Sequence, residues 1–342
     1  MKMFVRGFIN VFYKVLSVFR KKEGVVLIFS RHSQSFENLP IIEQALQKSG
    51  VPCKVINEDI NFCNIYILSS AKVVCIDQAT LLTSNIKISD ATQVIQIWHA
   101  GGAFKKFGFD ASTGTLADEQ RIRRIHGNVN WIVTSSKKVS QTYSNAFRLP
   151  IEHVLPFGIP RTDRYINTQG SNYRIIKTIL YAPTFRVDKY NQRVVNDFAL
   201  AVNVLKTLEK KDFRIAIRLH PSVHTQIEEL DVLDWSSKSL KAALSQTDIL
   251  ITDYSSIIFD YSLFNGKIFW YVKDLNTYEG ERGIYFNPLV DYPKYASTDL
   301  FSLCKLIEAN PMENCSVIRK KFMNACDGHS TDRVTNFIKE LL

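Results

Sequence analysis

The sequence predicts an α/β protein with two domains, each built on a parallel sheet. The first observation is its length, because 342 residues make about two ordinary domains. The second is the alternation of short apolar runs, typical of buried strands, with stretches that have helical spacing. The third is the polar, glycine-containing segment 166–174, which separates two such series. We therefore expect residues 23–170 and 171–342 to form the two domains.

The predicted strands fall into the two series in chain order. The first series comprises residues 25–29, 54–56, 73–76, 93–98, 132–134 and 154–155. The second comprises residues 178–181, 215–217, 249–251 and 267–272. Between the first two runs, residues 40–47 have the pattern of a helix. Strands that alternate with helices indicate parallel pairing, since a parallel crossover needs a long connection that is usually a helix.

Residues 1–22 form a separate predicted element. They contain basic residues but no acidic residue. At helical spacing Arg6, Asn10 and Lys14 share one face, while Phe8 and Val15 share the other. Charges interrupt the apolar runs too often for a membrane-spanning helix, and no signal-peptide cleavage site follows. We predict an amphipathic helix that lies on an anionic membrane surface. The alternative is a first helix packed on the protein's own core.

Composition excludes several classes of function. The net charge of +10 favours polyanionic partners. We expect no nucleic-acid partner, because the basic and aromatic excess is confined to residues 1–22 instead of being interleaved along the chain. The six cysteines lack metal-site spacing, so we expect reduced thiols of a cytosolic protein and no metal ion. Dinucleotide and Walker fingerprints are absent, and no cofactor is expected.

The stretch 248–260, DILITDYSSIIFD, carries the strongest functional signal. A strand-like run ends near Asp253, and Ser255 and Ser256 then open a helix-like run. In parallel α/β sheets, ligands bind outside the carboxyl ends of the strands, and the N–H groups at a helix start attract phosphate. We predict a phosphate site here, with Asp253 orienting a histidine or lysine. The alternative is simple helix capping.

A second motif, WHAGGAFKKFG, covers residues 98–108. A predicted strand delivers His99 into a turn containing Gly101 and Gly102, which would let the backbone approach a ligand closely. A histidine at this position can accept a proton near neutral pH, and Lys105 adds positive charge. The alternative is a histidine bonded within a tight turn, with the lysine on a solvated face.

Two further motifs hold basic or hydroxyl side chains. In RLHP, at residues 218–221, Arg218 and His220 share one side of a strand end, where they could contact phosphate. In DGHSTDR, at residues 327–333, Ser330 and Thr331 precede the last predicted helix and suit a phosphate or ribose contact. The alternatives are a structural Arg–His pair and helix capping.

The motifs resemble a known family when they are taken together and in order. WHAGGAFKKFG, LPFGIPRTDRY, LYAPTFR, RLHP, DILITDYSSIIFDY, ERGIYF and DGHSTDR are similar to the blocks of the CDP-glycerol glycerophosphotransferase family of wall teichoic acid synthesis, from about residue 93 to 333. The resemblance implies two Rossmann-like domains facing a cleft, as in glycosyltransferase-B folds. It also implies an N-terminal acceptor domain and a C-terminal CDP-polyol donor domain.

The same resemblance implies a reaction. Glycerol phosphate or ribitol phosphate would move from CDP-glycerol or CDP-ribitol to a hydroxyl of a lipid-linked acceptor, an undecaprenyl-diphosphate-linked saccharide, with release of CMP. The reaction would take place at the cytoplasmic face of the membrane, with the protein bound peripherally. A nucleotide-sugar glycosyltransferase of the same fold is the alternative, because the Ser255–Ser256 pair would serve UDP-sugars as well.

The resemblance assigns roles to individual residues. His99 matches the proposed base that activates the acceptor hydroxyl, and His220 matches the histidine that binds the donor pyrophosphate. Contact with the donor is the implied role of Thr184, Arg186, Arg218, Ser255, Ser256, Ser330 and Thr331. Many members have a WHG-T-P pattern where this chain reads His99-Ala100-Gly101-Gly102. That variant is closer to the primase and ribitol-phosphate branches, and the short chain favours addition of one or a few units.

Overall fold

The computed structural model describes residues 3–166, 176–188, 190–220, 223 and 230–342. The chain divides into two compact units. The first consists of Met1–Gly102, Phe107–Arg164 and Phe322–Leu342, and the second of Ala103–Lys106 and Tyr165–Lys321. Of the linker expected at 166–174, residues 167–174 lie outside the described part of the chain.

The first unit is built on a six-stranded parallel sheet. Its strands are β1 (Val25–Phe29), β2 (Cys53–Asn57), β3 (Val73–Ile76), β4 (Gln93–Gln96), β5 (Trp131–Val133) and β6 (Val154–Leu155). Their order is β2-β1-β3-β4-β5-β6, with every neighbouring pair parallel. The order reverses between β1 and β3, which makes the carboxyl ends of these two strands the place where a ligand crevice opens.

Helices cover this sheet on both faces. They are α1 (Met3–Phe19), α2 (Ser33–Phe36), α3 (Asn38–Lys48), α4 (Phe62–Leu68), α5 (Leu81–Asn85), α6 (Leu116–His126), α7 (Ser140–Phe147) and α16 (Ser330–Glu340), while α8 (Asp163–Ile166) runs across the division between the units. One apolar cluster contains Val26 and Ile28, and a second contains Val25 and Leu27. Because alternate side chains of β1 enter different clusters, both faces are buried and the strand is apolar throughout.

The second unit has its own six-stranded parallel sheet. Its strands are β7 (Lys177–Ala182), β10 (Phe213–Ile217), β11 (Leu233–Asp234), β12 (Ile249–Thr252), β13 (Lys267–Tyr271) and β14 (Ala296–Ser297), and a separate antiparallel ribbon pairs β8 (Arg186–Val187) with β9 (Arg193–Val194). The sheet order β11-β10-β7-β12-β13-β14 is that of a doubly wound Rossmann sheet, with its reversal between β7 and β12. Together the two parallel sheets confirm the predicted α/β class.

The helices of the second unit follow the alternation that the sequence predicts. They are α9 (Phe198–Lys206), α10 (Leu240–Ser245), α11 (Ile257–Tyr261), α12 (Leu275–Arg282), α13 (Pro288–Asp291), α14 (Leu300–Glu308) and α15 (Cys315–Phe322), the last ending at the division between the units. Short 3-10 helices occur in both units, at Gly108–Ala111, Lys137–Val139, Ile151–His153, Pro160–Thr162 and Thr207–Lys211.

The end of the chain differs from the predicted division into domains. Residues 322–342 were expected in the C-terminal domain, but they belong to the first unit. Val334 and Ile338 of α16 are buried in the apolar cluster of the first sheet, and the Phe337 ring lies 5.0 Å from that of Trp131. The apolar face of this last helix therefore packs on the first unit. The spacing of apolar residues predicts such a face but does not indicate the surface on which it packs.

Helix α1 packs on the first unit through one face. Ile9 and Tyr13 are buried in its apolar cluster. Two of the polar residues predicted to face lipid headgroups, Arg6 and Asn10, are instead bonded to the protein, since both donate to the carbonyl oxygen of Asn85. This face of α1 therefore matches the alternative interpretation, in which the first helix packs on the core of the protein.

The opposite face of α1 is apolar and exposed. It carries Val5, Phe8, Val11, Val15, Val18 and Phe19, of which Phe8 is 64% and Phe19 is 84% exposed. Among the described residues, no helix combines the length and the hydropathy that crossing a bilayer requires. An apolar stripe on the outside of a packed helix is unusual for a surface in contact only with water.

Gly158 lies at a close approach of the chain in the first unit, where a larger residue would clash with its neighbours. Its φ is +85°, and an added Cβ would lie 2.2 Å from Ser330 Oγ and 2.3 Å from the carbonyl oxygen of Ala325. We expect Gly158→Ala to destabilise the first unit by about 2–5 kcal/mol, the sum of about 1–2 kcal/mol for positive φ and about 1–3 kcal/mol for overpacking. Thermal unfolding measures this loss.

Gly114 supplies a matched control. Its φ is +77°, but an added Cβ would meet nothing within 4 Å. Gly114→Ala should therefore lose only the backbone contribution, about 1–2 kcal/mol. Equal shifts in the unfolding midpoint of the two variants would contradict the contact assigned to Gly158.

Candidate active site

His99 lies just beyond the carboxyl end of β4 in the first unit. The preceding residue, Trp98, has φ of +64°, a conformation that is rare for a bulky residue and costs about 1–3 kcal/mol. Both carbonyl groups at this turn are held, because Asn38 donates to the carbonyl oxygen of Trp98 at 3.0 Å and Arg161 to that of His99 at 2.6 Å. The structure thus fixes the backbone that carries the predicted base.

The imidazole of His99 is kept neutral at physiological pH. Burial lowers its pKa to about 4, and the positive charge of Arg161 acts in the same direction, with a smaller contribution from His32. The main chain of Asp77 acts in the opposite direction. A neutral imidazole retains a nitrogen lone pair, which is the state that a general base requires before the reaction.

Asp77 is a buried carboxylate beside this histidine that sequence reasoning did not select. It follows β3, and its Oδ1 accepts a hydrogen bond from Ser33 Oγ at 2.9 Å, while Ser33 and Ser30 are bonded to each other. These contacts link the ends of β1 and β3, where the strand order reverses. Its Oδ2 is buried and has no hydrogen-bond partner in the described part of the chain. A polar residue directly after the apolar run 73–76 is the signal that could have identified it.

The glycine turn after His99 is engaged by the first unit itself. The N–H of Gly102 donates to Ser135 Oγ at 2.7 Å, and its carbonyl oxygen accepts from the Tyr143 hydroxyl at 2.7 Å. Gly101 is buried beside it. The backbone of Gly102 is therefore committed to holding the turn, and its predicted contact with substrate stays a prediction.

Thr184 and Asp253 meet at the reversal point of the second sheet. Thr184 follows β7 and Asp253 follows β12, and the Thr184 N–H and hydroxyl donate to the two carboxylate oxygens of Asp253 at 2.9 and 2.6 Å. Since ligands of doubly wound sheets bind at this point, the structure brings these two predicted residues together where a site is expected. The Asp253 carboxylate, which was predicted to orient a histidine or a lysine, is therefore bonded to Thr184.

Arg186 is held by two carboxylates. It forms a bidentate pair with Asp274, at 2.8 and 3.0 Å, and a further contact with Asp253 at 3.2 Å. Tyr254 also donates to Asp274 at 3.0 Å, and its ring stacks on Tyr278 with centroids 3.8 Å apart. Asp274 and both tyrosines were not predicted. With its charge already compensated, Arg186 stiffens the site and is not a free cation.

Lys105 is another cation of this cluster. It belongs to the second unit, where it bridges to Ile284 in antiparallel fashion and its ammonium lies 5.6 Å from the Tyr278 ring centroid. Among the described residues it makes no ion pair within salt-bridge distance. Burial lowers its pKa to about 8, and the charge of Asp253 partly offsets this. A half-buried ammonium of this kind is suited to binding an anion.

Two predicted phosphate contacts already have partners in the protein. The Arg218 guanidinium donates to the carbonyl oxygens of Trp235 and Lys238 at 2.8 and 2.6 Å. Ser255 Oγ accepts a hydrogen bond from the Ile257 N–H at 3.3 Å, and Ser256 is the residue that directly precedes α11. The His220 side chain is exposed, with its ring 5.0 Å from that of Phe185. Pro221, the last residue of this motif, lies outside the described residues.

Ser330 and Thr331 lie in the first unit, not with the donor-site residues of the second. Their N–H groups donate to the two carboxylate oxygens of Asp163, at 3.0 and 2.7 Å. The start of α16 therefore already carries an anion supplied by the chain. Asp163, and not the Ser330 or Thr331 hydroxyl, caps this helix start, and the predicted donor contact of these residues stays a prediction. Within the described part of the chain, no group of three His, Cys, Asp or Glu residues is arranged to hold a metal ion.

Asp77→Asn should stabilise the protein in a pH-dependent way. Burial raises the pKa of Asp77 to about 6 from 3.8, so ionisation of this residue costs more in the folded than in the unfolded protein. Stability is consequently lost as pH rises from about 4 to about 6, and the variant should escape this loss. We expect a higher unfolding midpoint than wild type at pH 8 and a much smaller difference at pH 4. A difference that is equal at both values would contradict the burial of this charge.

Comparison with known proteins identifies the family. A model of the family "CDP-Glycerol:Poly(glycerophosphate) glycerophosphotransferase" matches residues 52–340. The teichoic acid glycerol-phosphate primase of Bacillus subtilis is 29% identical over 331 residues, which cover 93% of this chain and 84% of the relative. The teichoic acid ribitol-phosphate primase of Bacillus spizizenii is 29% identical over 376 residues, which cover 99% of this chain and 97% of the relative.

A solved structure shares the fold. That of the wall teichoic acid polymerase TagF has a TM-score of 0.73 and 21% identity, and the match covers 99% of this chain and 95% of that chain. The matches confirm the predicted glycosyltransferase-B type of fold and the predicted transferase class. The chain belongs to the CDP-glycerol:poly(glycerophosphate) glycerophosphotransferase family, as the order of its sequence motifs predicts.

Proposed function

We propose that this protein transfers glycerol phosphate or ribitol phosphate from a CDP-polyol to a hydroxyl of a lipid-linked saccharide and releases CMP in teichoic acid synthesis. The observation that carries this proposal is His99, a buried and neutral imidazole fixed at a strand end in a chain of this family. An undecaprenyl-diphosphate-linked saccharide is the acceptor that the family resemblance implies. We assign the acceptor to the first unit and the donor to the second.

The proposed chemical step needs one base and a site for an anion. His99 removes the proton from the acceptor hydroxyl, and that oxygen forms a bond to the β-phosphorus of the CDP-polyol. The bond from this phosphorus to the bridging oxygen breaks, and CMP leaves with the electron pair. The proton stays on His99 until solvent removes it. In-line phosphoryl transfer of this kind depends mainly on positioning and on electrostatic stabilisation of the transferring group.

The second unit offers the charge that the donor requires. Lys105 has no carboxylate within salt-bridge distance among the described residues and lies near the strand-order reversal marked by Thr184 and Asp253, so its ammonium is available to the pyrophosphate. His220 is exposed on the same unit and is the second proposed donor contact. Arg218 and Ser255 remain proposed contacts that would have to exchange or share their present hydrogen bonds, and Ser256 remains a proposed contact.

The proposal predicts CMP release that depends on both substrates. Purified protein should release CMP from CDP-glycerol or CDP-ribitol only when a lipid-linked or soluble saccharide acceptor is present. His99→Ala should lower the rate by about 10²–10⁴-fold, as expected for loss of a general base, and His220→Ala should weaken donor binding. The two donors are assayed in parallel, because the relatives named above include both a glycerol-phosphate and a ribitol-phosphate primase.

A histidine outside the site serves as the control. His153 stacks on Trp131 and bonds the carbonyl oxygen of Asn130, and His153→Gln preserves a donor to that carbonyl. Its activity should equal that of wild type. A loss of less than tenfold in His99→Ala would remove the base assignment. Release of UDP from a UDP-sugar, without CMP release from either CDP-polyol, would move the protein to the glycosyltransferase alternative.

We further propose that α1 binds the protein peripherally to an anionic membrane. The inner face of α1 is anchored by Ile9 and Tyr13, so its outer face can bury apolar side chains in lipid without unfolding the helix. Lys14 is exposed on the same helix, and Lys21 follows it with 86% of its side chain exposed. Apolar burial together with basic charge provides the two contributions that stable interfacial binding requires.

Vesicle flotation tests this placement. The double variant Phe8→Ser with Val15→Ser should bind vesicles containing anionic lipid at least about tenfold more weakly than wild type, since burial of each apolar side chain contributes about 1.5–3 kcal/mol. Val290→Ser with Phe301→Ser, which alters exposed apolar residues of the second unit, should bind as wild type does. Unchanged binding of the α1 variant, or equal binding to uncharged vesicles, would overturn the proposal.

A further inference from the structure

The imidazole of His99 packs against two other rings. Phe36, the last residue of α2, stacks on it with centroids 5.0 Å apart and an interplanar angle of 22°. Trp98 lies on it with centroids 4.6 Å apart and an angle of 35°. Stacked aromatic rings attract each other at these separations. Rotation of the imidazole would require one of these neighbours to move.

No carboxylate orients this ring through a hydrogen bond to Nδ1 in the described part of the chain. The base of a catalytic triad is oriented by a carboxylate that accepts from its second nitrogen. In His99 the Nδ1 atom is buried and makes no hydrogen bond within the described part of the chain. The Asp77 carboxylate nearby is directed to Ser33 Oγ. The backbone of Asp77 acts on the ring as a hydrogen-bonding group, and the two aromatic rings supply a further constraint on its orientation.

Both rings are themselves held in place. Trp98 keeps its unusual backbone conformation while its indole packs against Phe107 at 5.4 Å and Phe147 at 5.3 Å. Phe36 is fixed by the short helix α2, whose first residue, Ser33, donates to the buried Asp77 carboxylate. Phe36 is thus connected through α2 to the point where the strand order reverses, and Trp98 packs in an aromatic cluster.

The rings also exclude water from the imidazole. Burial is the largest cause of the lowered pKa of His99, and Phe36 covers one face of the ring. The charged or titratable groups around it are Asp77 at the end of β3, Arg161 in the 3-10 helix Pro160–Thr162, and His32 before α2. Arg161 and His32 also oppose protonation of the ring. Opening one face of the ring to water should reduce the effect of burial, so the pKa of His99 should rise toward the ordinary value of 6.5.

We propose that Phe36 is a positioning residue, which holds the imidazole of His99 against Trp98 in the orientation for proton transfer and takes the place of the carboxylate found in triads. This inference rests on the proposed role of His99 as the base. Phe36 lies before residue 52, where the match to the family model begins. The positioning element is therefore supplied by a part of the chain that the family pattern does not describe.

The test combines Phe36→Leu with Phe36→Tyr. Leucine fills space without a ring, whereas tyrosine keeps the stacked face. We expect Phe36→Leu to lower kcat by about ten- to hundredfold, as misplacement of a catalytic group by a fraction of an ångström to 1 Å does, with little change in KM for the CDP-polyol or the acceptor. Phe36→Tyr should restore kcat to within a few-fold of wild type. Phe301→Leu, at an exposed phenylalanine of α14, is the control.

A second readout does not depend on catalysis. NMR of protein labelled at its seven histidines, with the His99 signal assigned by its loss in His99→Ala, follows the titration of this ring directly. Phe36→Leu should raise the pKa of His99 from about 4 toward 6.5, and Phe36→Tyr should leave it near the wild-type value.

The outcomes separate the two proposals. A kcat for Phe36→Leu within twofold of wild type, or an equal loss in the leucine and tyrosine variants, would overturn the positioning role even if His99→Ala is inactive. An unchanged pKa of His99 in Phe36→Leu would do the same. If His99→Ala retains turnover, the assignment of the base fails, and the NMR result alone then decides whether Phe36 shields the ring.

Discussion

The reversal of strand order within each parallel sheet is the constraint on which both candidate sites depend. A parallel sheet buries its two faces under helices, so polar side chains can enter only beyond the strand ends. Where the order reverses, consecutive connections leave toward opposite faces and a crevice opens between them. Ser33 and Asp77 meet at this point in the first unit, and Thr184 and Asp253 meet at it in the second. In both units a hydroxyl group donates to a carboxylate oxygen there.

Titratable side chains in the two units differ in whether a nearby opposite charge compensates them. In the first unit, His99 is buried without a compensating anion on its ring, and desolvation keeps it neutral. In the second unit, Arg186 stays charged because Asp253 and Asp274 surround it. Lys105 lies between these extremes, since its ammonium is half-buried and is not matched by a carboxylate at salt-bridge distance in the described residues. A neutral base and an available cation are the two requirements of the proposed transfer.

Several predicted ligand contacts turned out to satisfy the protein's own backbone. Ser330 and Thr331 present their N–H groups to Asp163, and the Arg218 guanidinium binds two main-chain carbonyl groups. Helix starts and strand ends leave N–H and C=O groups that must find partners wherever they are buried. Carboxylate and guanidinium side chains serve this purpose, as Asp163 and Arg218 do here. A motif rich in such residues therefore does not distinguish this use from contact with a ligand.

The sequence by itself determined the α/β class, the family and the positions of His99, Thr184 and Asp253 at strand ends, because apolar periodicity and motif order are properties of the chain. Only the tertiary structure decided the rest. The partnership of α16 with the first sheet, the pairing of Arg186 with Asp274, and the stacking of Phe36 on His99 all join residues that are far apart in the chain. Such contacts form when helices and loops pack against each other in the folded protein. This packing depends on complementary surface shapes, which no local sequence pattern encodes.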